Sequence, residues 1–255
     1  MRRLKLIGIG AGNPDHITLQ AIHALDQVDV VFTVDKGEVA IELLHARQEV
    51  CRRYIKSRPY RTVEIRDAQR ERTPLDYHDT VTDWHAKRAE LFERAIREEL
   101  SEAECGAFLV WGDPALYDST LRIIHLVAAM NSVAFEWEVL PGITSIQALA
   151  AAHKISWNEI GAPVHITTGR RLSEEQLAGS ANILVLLDGQ CSFKAHQHAD
   201  VDIHWGAYLG TADEILLSGR LSEVSARIER TRSEARDKKG WIMDTYLLRK
   251  PSTAS

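Results

Sequence analysis

The chain has 255 residues, of which 45% are hydrophobic and 26% charged, and its formal net charge at pH 7 is −5. These values are typical of a soluble globular protein with one large or two compact domains, and the negative charge argues against a general nucleic-acid-binding function. Three widely spaced cysteines form neither a disulfide framework nor a metal-binding CxxC pattern. Glycines after Ile7 exclude a signal peptide and no apolar run could span a bilayer, so we expect a cytoplasmic protein that does not enter membranes.

Strand and helix patterns alternate along the first half of the chain. We predict strands over residues 4–9, 28–34, 107–111 and 134–140, and helices from about residue 17 and over 41–54, 80–104 and 115–130. Residues 57–79 are strongly polar and contain two prolines, so we expect a long excursion there rather than a core element. The alternation indicates a parallel sheet.

The second half of the chain is richer in strand patterns. We predict strands over 164–168, 183–187, 203–209 and 241–248, with one helix near 222–232. This pattern favours a mixed sheet with fewer helices. We therefore predict two α/β domains, an N-terminal one with a mainly parallel sheet over 1–140 and a C-terminal one with a mixed sheet over 141–255, with the active-site cleft between them.

Residues 110–117 read Val-Trp-Gly-Asp-Pro-Ala-Leu-Tyr and follow a predicted buried strand. Ligands of open α/β sheets bind at such carboxyl ends of strands. Glycine lets the main chain approach a ligand closely, and the carboxylate of Asp113 can accept hydrogen bonds from ligand hydroxyl or amino groups. The turn indicates either a ligand site or an ordinary strand–helix turn in which Asp113 caps the next helix.

The glycines of the first loop are a weak signal for a dinucleotide. Gly8 and Gly10 follow a strand and Asp35 ends the next one, as in a Rossmann fold. The third glycine of that motif falls on Asn13, however, and Pro14 delays the helix whose N-terminus would bind pyrophosphate. We therefore do not expect a nicotinamide cofactor at this loop.

Residues 141–145, Pro-Gly-Ile-Thr-Ser, also follow a predicted strand and open an alanine-rich helix. The hydroxyls of Thr144 and Ser145, with the free amides of the helix start, could bind a small polar ligand. The alternative is an N-cap that serves only the helix.

Four motifs in a fixed order carry a family resemblance. They are residues 8–18 (GIGAGNPDHIT), 112–117 (GDPALY), 141–145 (PGITS), and 210–214 (GTADE) with 219–221 (GRL). This order resembles the tetrapyrrole methylases, the S-adenosylmethionine-dependent methyltransferases of corrin and sirohaem synthesis. Residues 8–22, 111–121 and 140–152 are most similar to the branch that methylates C-1 of precorrin-5 and releases acetate. The resemblance implies S-adenosyl-L-methionine as methyl donor, S-adenosyl-L-homocysteine as product, precorrin-5 as substrate and a homodimer.

The resemblance also implies a division of tasks between the loops. The donor would lie folded between the domains, and the first loop, through Gly8, Gly10, Gly12 and Pro14, would face the macrocycle. Many members have Met-Gly where this chain has Asp188-Gly189, so the donor contact there is open. The family's donor contacts fall here on Trp111, Gly112, Asp113, Leu116, Tyr117, Thr144, Ser145, Leu187, Asp188 and Gly210.

Release of acetate needs attack of water on a ketone, which a general base would assist. Asp35, at the end of the second strand, is our candidate because a carboxylate recurs there in the family. Loop structure or helix capping is the alternative for Asp35, and the deacetylation could also proceed without an enzymic base.

Residues 47–72 carry nine basic side chains against four acidic ones. Arginine forks suit the acetate and propionate groups of a precorrin, so we expect Arg53 and Arg58 to contact substrate. A solvated surface is the alternative.

Three further alternatives concern the function as a whole. Cys191, His196 and His198 lie close in sequence, but they lack a recognised ligand spacing and we expect no metal. The chain could be another member of the family, acting on a different precorrin or on a protein side chain as the diphthine-forming relatives do. It could also bind S-adenosylmethionine without catalysis.

Overall fold

The computed structural model describes residues 1–35, 41–67, 77–174 and 182–251. The chain divides into two compact units, Met1–Thr144 and Ser145–Ser255. The division follows Thr144, whereas the sequence patterns place it after residue 140.

The first unit contains a five-stranded sheet in the order β3-β2-β4-β1-β5, and all neighbouring strands are parallel. Parallel pairing requires long crossovers, and helices supply them. The strands are β1 (Arg2–Gly8), β2 (Val30–Asp35), β3 (Arg61–Arg66), β4 (Cys105–Val110) and β5 (Phe135–Leu140). The helices are α1 (Leu19–Leu25), α2 (Ile41–Tyr54), α3 (Tyr77–Glu99) and α4 (Thr120–Met130).

Helices cover both faces of this sheet, so its central strands are apolar on both sides. Helices α1 and α2 pack on one face through residues such as Leu25 and Val50. Helices α3 and α4 pack on the other through residues such as Phe92 and Ile124. Strand β4 is buried along its whole length, as expected of a central parallel strand. The parallel sheet is therefore packed between two hydrophobic cores, one on each face.

The predicted excursion over 57–79 is wrong in part, because it contains β3. This strand pairs with β2 from Val30–Arg61 to Asp35–Arg66. It forms the edge of the sheet and only Ile65 is buried, so its sequence is mostly polar. Helix α4 also begins at Thr120 and not near residue 115, because Tyr117 has a φ of +52° and interrupts the helical path.

The second unit contains a mixed five-stranded sheet in the order β6-β7-β10-β8-β9. Strands β6 and β7 are parallel and the other neighbours are antiparallel. The strands are β6 (Val164–Thr168), β7 (Asn182–Leu186), β8 (Asp202–Ala207), β9 (Ile215–Arg220) and β10 (Asp244–Arg249), and the helices are α5 (Ser145–His153), α6 (Gly169–Glu174) and α7 (Leu221–Lys239). The prediction of two α/β parts, one parallel and one mixed, is confirmed.

Along the described ranges, no helix combines the length and the apolar character that crossing a membrane requires.

Candidate functional site

Three loops meet at the carboxyl edge of the parallel sheet, because β4, β1 and β5 are neighbours there. The loop after β1 is hydrogen-bonded to the turn after β4: Gly112 donates its N–H to the carbonyl of Gly10 at 2.8 Å. Ile9 donates in the same way to the carbonyl of Val110 at 2.9 Å. The first and second motifs of the sequence are thus parts of one structure.

The loop after β5 packs against both of these through main-chain contacts. A Cβ atom added at Gly142 would lie 2.0 Å from the carbonyl oxygen of Gly112. One added at Gly8 would lie 2.6 Å from the nitrogen of Gly142. Both positions therefore require glycine for contact between main chains, independently of any ligand.

Asp113 joins two of the loops through its carboxylate. Its Oδ1 accepts a hydrogen bond from the N–H of Ala115 at 2.7 Å, and its Oδ2 accepts one from the N–H of Gly142 at 2.8 Å. Asp113 does not cap α4, because Ser119 occupies the N-cap position. Each carboxylate oxygen keeps a second lone pair that a ligand could use.

Other predicted donor contacts surround this turn. Trp111 and Leu116 are half-buried, and Tyr117 is exposed. Thr144 is buried beside Gly112, since a Cβ at Gly112 would lie 3.6 Å from its Cα. The first unit therefore brings together the turn after β4 and the end of the loop after β5.

Three predicted donor contacts lie in the loops of the second unit, and a fourth begins α5. Leu187 follows β7 with a φ of +53° and is 65% exposed. Gly210 has a φ of +77° and donates its N–H to a carboxylate oxygen of Glu214 at 2.8 Å. Ser145 accepts a hydrogen bond from the hydroxyl of Thr245 on β10 at 3.0 Å. The hydroxyl of Ser145 is thus already bound within its own unit.

Asp188 has a structural task that the sequence does not reveal. It is 4% exposed, and its Oδ2 accepts hydrogen bonds from the hydroxyl of Tyr246 at 2.7 Å and the N–H of Ser192 at 2.6 Å. Its Oδ1 accepts from the Ser192 hydroxyl and the N–H of Gln190, both at 3.0 Å. Four donors leave no lone pair over for a ligand, so Leu187 is the stronger candidate at this strand end.

Asp35 ends β2 at the carboxyl edge of the parallel sheet. Its side chain lies outside the described part of the structure. Pairing between β2 and β4 extends only to Phe32 and Phe108, although β2 pairs with β3 as far as Asp35. The carboxyl ends of β2 and β4 therefore diverge, and Asp35 stands on one side of the opening.

The remaining predicted substrate contacts are separated by the fold. Arg58 pairs with Asp29, which precedes β2, at 3.2 Å and so lies at the amino end of the sheet. Arg53 pairs with Glu49 at 2.6 Å and with Asp15 at 3.3 Å. Both guanidinium groups are already neutralised, which weakens the case for substrate contact.

Of the first-loop residues, Gly12 is half-buried with a φ of +143°, and Pro14 accepts a hydrogen bond through its carbonyl from the Tyr54 hydroxyl at 3.3 Å.

Sequence patterns missed two arginines beside the opening between β2 and β4. Arg88 on α3 is buried, lies 2.8 Å from Asp67 and donates to the hydroxyl of Ser119 at 2.9 Å. Arg47 on α2 donates from Nε to the carbonyl of Leu109 at 3.0 Å. Burial lowers the pKa of both guanidinium groups. Arg47 belongs to the basic stretch 47–72, but the composition of that stretch gives no reason to prefer Arg47 to Arg53 as a substrate contact.

The cysteines and histidines do not form a reactive centre in the described ranges. All three cysteines are free and buried, and burial raises the pKa of Cys51 to about 12. His196 has its Nε2 3.0 Å from the carbonyl of Leu172. Across those same ranges, no three His, Cys, Asp or Glu side chains come together in a way that could hold a metal ion.

Comparison with known proteins gives this edge of the sheet a family context. The family model for tetrapyrrole (corrin/porphyrin) methylases matches residues 3–225. The deacetylating precorrin-6A synthase of Sinorhizobium sp is 51% identical over 250 residues, which are 98% of this chain and 96% of that protein.

Solved structures agree with this match. The cobalamin synthesis related protein CobF of Corynebacterium diphtheriae superposes with a TM-score of 0.83 and 39% identity, covering 98% of this chain and 99% of that chain. The uroporphyrin-III C-methyltransferase of Thermus thermophilus, solved with S-adenyl homocysteine, shares the fold with a TM-score of 0.58 at 17% identity, over 96% of both chains. The chain therefore belongs to the tetrapyrrole (corrin/porphyrin) methylase family.

Proposed function

We propose that the protein is a deacetylating precorrin-6A synthase of cobalamin biosynthesis. It transfers a methyl group from S-adenosyl-L-methionine to C-1 of precorrin-5 and releases acetate. The observation that carries this proposal is 51% identity with the Sinorhizobium synthase over 98% of the chain. Identity with diphthine synthase of Pyrobaculum islandicum is 28% over 72% of the chain, so the corrin substrate is favoured.

The chemistry of the loops fits a small cationic donor with polar ends. The carboxylate of Asp113, the main chain at Gly112 and the buried Thr144 offer acceptors and donors at one strand edge. Trp111, Leu116 and Tyr117 add apolar surface beside them, and Ser145, Leu187 and Gly210 are the candidates from the second unit. S-adenosyl-L-methionine, when bound, supplies an electrophilic methyl group on a sulfonium.

The protein's own contribution to methyl transfer is alignment and exclusion of water. Main-chain contacts among Gly8, Gly112 and Gly142 fix the three loops with little freedom. A rigid turn of this kind can hold a donor in line with a nucleophilic carbon. Gly10, Gly12 and Pro14 continue the first loop, and we assign that loop to the macrocycle.

Asp35 is our candidate for the base that activates water during release of acetate. Its position at the end of β2, beside the opening toward β4, supports that assignment. The proposal also includes a homodimer, which the family resemblance implies, and a cytoplasmic location, which rests on the glycines after Ile7 and the widely spaced cysteines. Sedimentation of the purified protein measures the dimer directly.

The decisive experiment is incubation of the protein with precorrin-5 and S-adenosyl-L-methionine carrying a labelled methyl group. We expect the corrinoid product to gain one methyl group while one equivalent of acetate is released. Binding of the donor with no transfer to precorrin-5 would contradict the proposal. Transfer to another precorrin or to a protein side chain would reassign the chain within its family.

A further inference from the structure

Arg47 differs from the other arginines of its helix in what its guanidinium group contacts. Arg52 and Arg53 both pair with Glu49, at 2.8 Å and 2.6 Å. Arg47 donates to two main-chain carbonyls, those of Leu109 at 3.0 Å and Leu43 at 3.1 Å. It forms no ion pair with any carboxylate in the part of the chain that the structure describes.

The position of Arg47 follows from the way β2 and β4 diverge. Successive carbonyls of a strand point to opposite sides, and that of Val110 faces β1, where it accepts from Ile9. The carbonyl of Leu109 therefore faces β2, whose pairing with β4 has already ended at Phe108. Arg47 occupies the hydrogen-bonding position that β2 leaves vacant.

This opening lies at a reversal of strand order. Helix α2 follows β2 on one face of the sheet, and α4 follows β4 on the other. Ligands of open α/β sheets bind at such switch points, outside the carboxyl ends of the strands. Arg47 lies at that place, since it binds the carbonyl of Leu109, three residues before Gly112.

The electrostatics of Arg47 favour an anion. Burial lowers the pKa of its guanidinium group, and Asp118 opposes this only through space. A guanidinium has five N–H donors, and two of them bind carbonyls of residues that the structure describes. A half-buried cation whose partners in the described ranges are carbonyls gains from a carboxylate, which it can bind in a bidentate manner.

We propose that Arg47 binds a carboxylate side chain of the macrocyclic substrate. The inference rests on the proposed function, since a precorrin carries many acetate and propionate groups. It replaces Arg53 and Arg58 as the arginine of the basic stretch 47–72 that binds substrate. Arg47 orients the macrocycle through a group remote from the carbon that is methylated.

The test compares Arg47→Met with Arg52→Met, a matched change on the exposed side of the same helix. We expect Arg47→Met to raise the KM for precorrin-5 about 10- to 100-fold, as loss of a charged hydrogen bond would. The Kd for S-adenosyl-L-homocysteine and kcat should stay within about twofold, and Arg47→Lys should recover part of the affinity. Arg52→Met should leave all three values at those of the wild type.

Two results would overturn the inference while leaving the proposed function intact. One is an active Arg47→Met enzyme whose KM equals that of Arg52→Met. The other is a parallel loss of donor affinity, kcat and melting temperature in both Arg47→Met and Arg47→Lys, because a purely structural clamp would produce that pattern. Failure of the wild-type protein to methylate precorrin-5 would overturn the proposed function, and this inference with it.

Discussion

Both carboxylate oxygens of Asp113 accept main-chain N–H groups, one from its own turn and one from the loop after β5. Hydrogen bonds to a charged acceptor are the strong ones in proteins. The side chain therefore fixes the distance between two loops that both contribute candidate donor contacts. We therefore expect Asp113 to affect donor binding through this geometry as well as through any direct contact.

Replacement of Asp113 should weaken donor binding in two steps. Asp113→Ala removes both acceptors, and at about 1–1.5 kcal/mol for each bond we expect roughly a 30- to 150-fold rise in the Kd for S-adenosyl-L-homocysteine. Asp113→Asn keeps one acceptor and should have an intermediate effect. Calorimetry measures both, with Asp237→Ala on the exposed surface of α7 as control. Wild-type affinity in Asp113→Ala would show that the loops hold without this link.

Single residues were predictable where a local pattern carried the signal. The turn at Gly112 and Asp113 was found because a buried strand ends there abruptly. The structural role of Asp188 could not be predicted, because its hydrogen-bond partner Tyr246 is 58 positions away in sequence and only the fold brings the two side chains together. The pairing of Arg58 with Asp29 is hidden for the same reason.

At the scale of elements, the central strands of both described sheets were predicted, whereas two of their four edge strands, β3 and β9, were missed. Strand β4 is apolar throughout because it is covered on both faces. Strand β3 is polar at most positions, and β9 has only three apolar residues before Ser218, Gly219 and Arg220, so neither shows the pattern of a buried strand. The start of α4 was misplaced because a residue with positive φ at Tyr117 has no sequence signature.

The three loops at the carboxyl edge form one packed element, and glycine substitutions should show it. Gly142→Ala would place a methyl group 2.0 Å from the carbonyl oxygen of Gly112. Because this oxygen belongs to the main chain, the clash can be relieved only by moving the backbone of the loops. We expect a large fall in melting temperature together with loss of donor binding. Gly8→Ala should behave similarly, since its Cβ would meet Gly142 and Gly112.

The matched control is Gly189→Ala, where an added Cβ meets nothing within 4 Å. Differential scanning fluorimetry with and without S-adenosyl-L-homocysteine compares the three variants. Normal donor binding by Gly8→Ala, with a rise only in the KM for substrate, would show that the first loop acts on the macrocycle alone. That result would contradict the prediction that the three loops act as one packed element.

At the scale of the whole molecule, the order of four motifs predicted the family, and alternation of strands and helices predicted the two sheets. The pattern of charged residues was a poorer guide to the substrate-binding surface. The nine basic residues of 47–72 read as one patch, yet in the fold several of them are neutralised by carboxylates. Arg61 is one example, held by Glu104 at 2.7 Å and 3.0 Å across the edge of the parallel sheet.

These ion pairs should make the protein sensitive to acid. Hydrogen bonds from Arg61 and from the N–H of Ser101 lower the pKa of Glu104 to about 2. The Ser57 hydroxyl and the amides of Lys56 and Ser57 do the same for Asp26, and Arg52 and Arg53 for Glu49. All three carboxylates lie in the first unit, at contacts that hold α2 and β3 in place.

A carboxyl group whose folded pKa lies below its unfolded value stabilises the fold above the unfolded pKa. Its contribution is lost as the pH falls through that value toward the folded pKa. We therefore expect the melting temperature to be level near pH 7 and to fall between about pH 4.5 and pH 2, the interval set by the unfolded carboxyl values and the pKa of about 2 for these three groups. Glu104→Gln should lower stability at pH 7 and flatten the acid slope, whereas Glu136→Gln on the exposed side of β5 should leave the slope as it is. Equal slopes in wild type and Glu104→Gln would mean that the Arg61–Glu104 pair adds nothing to the stability of the edge strand.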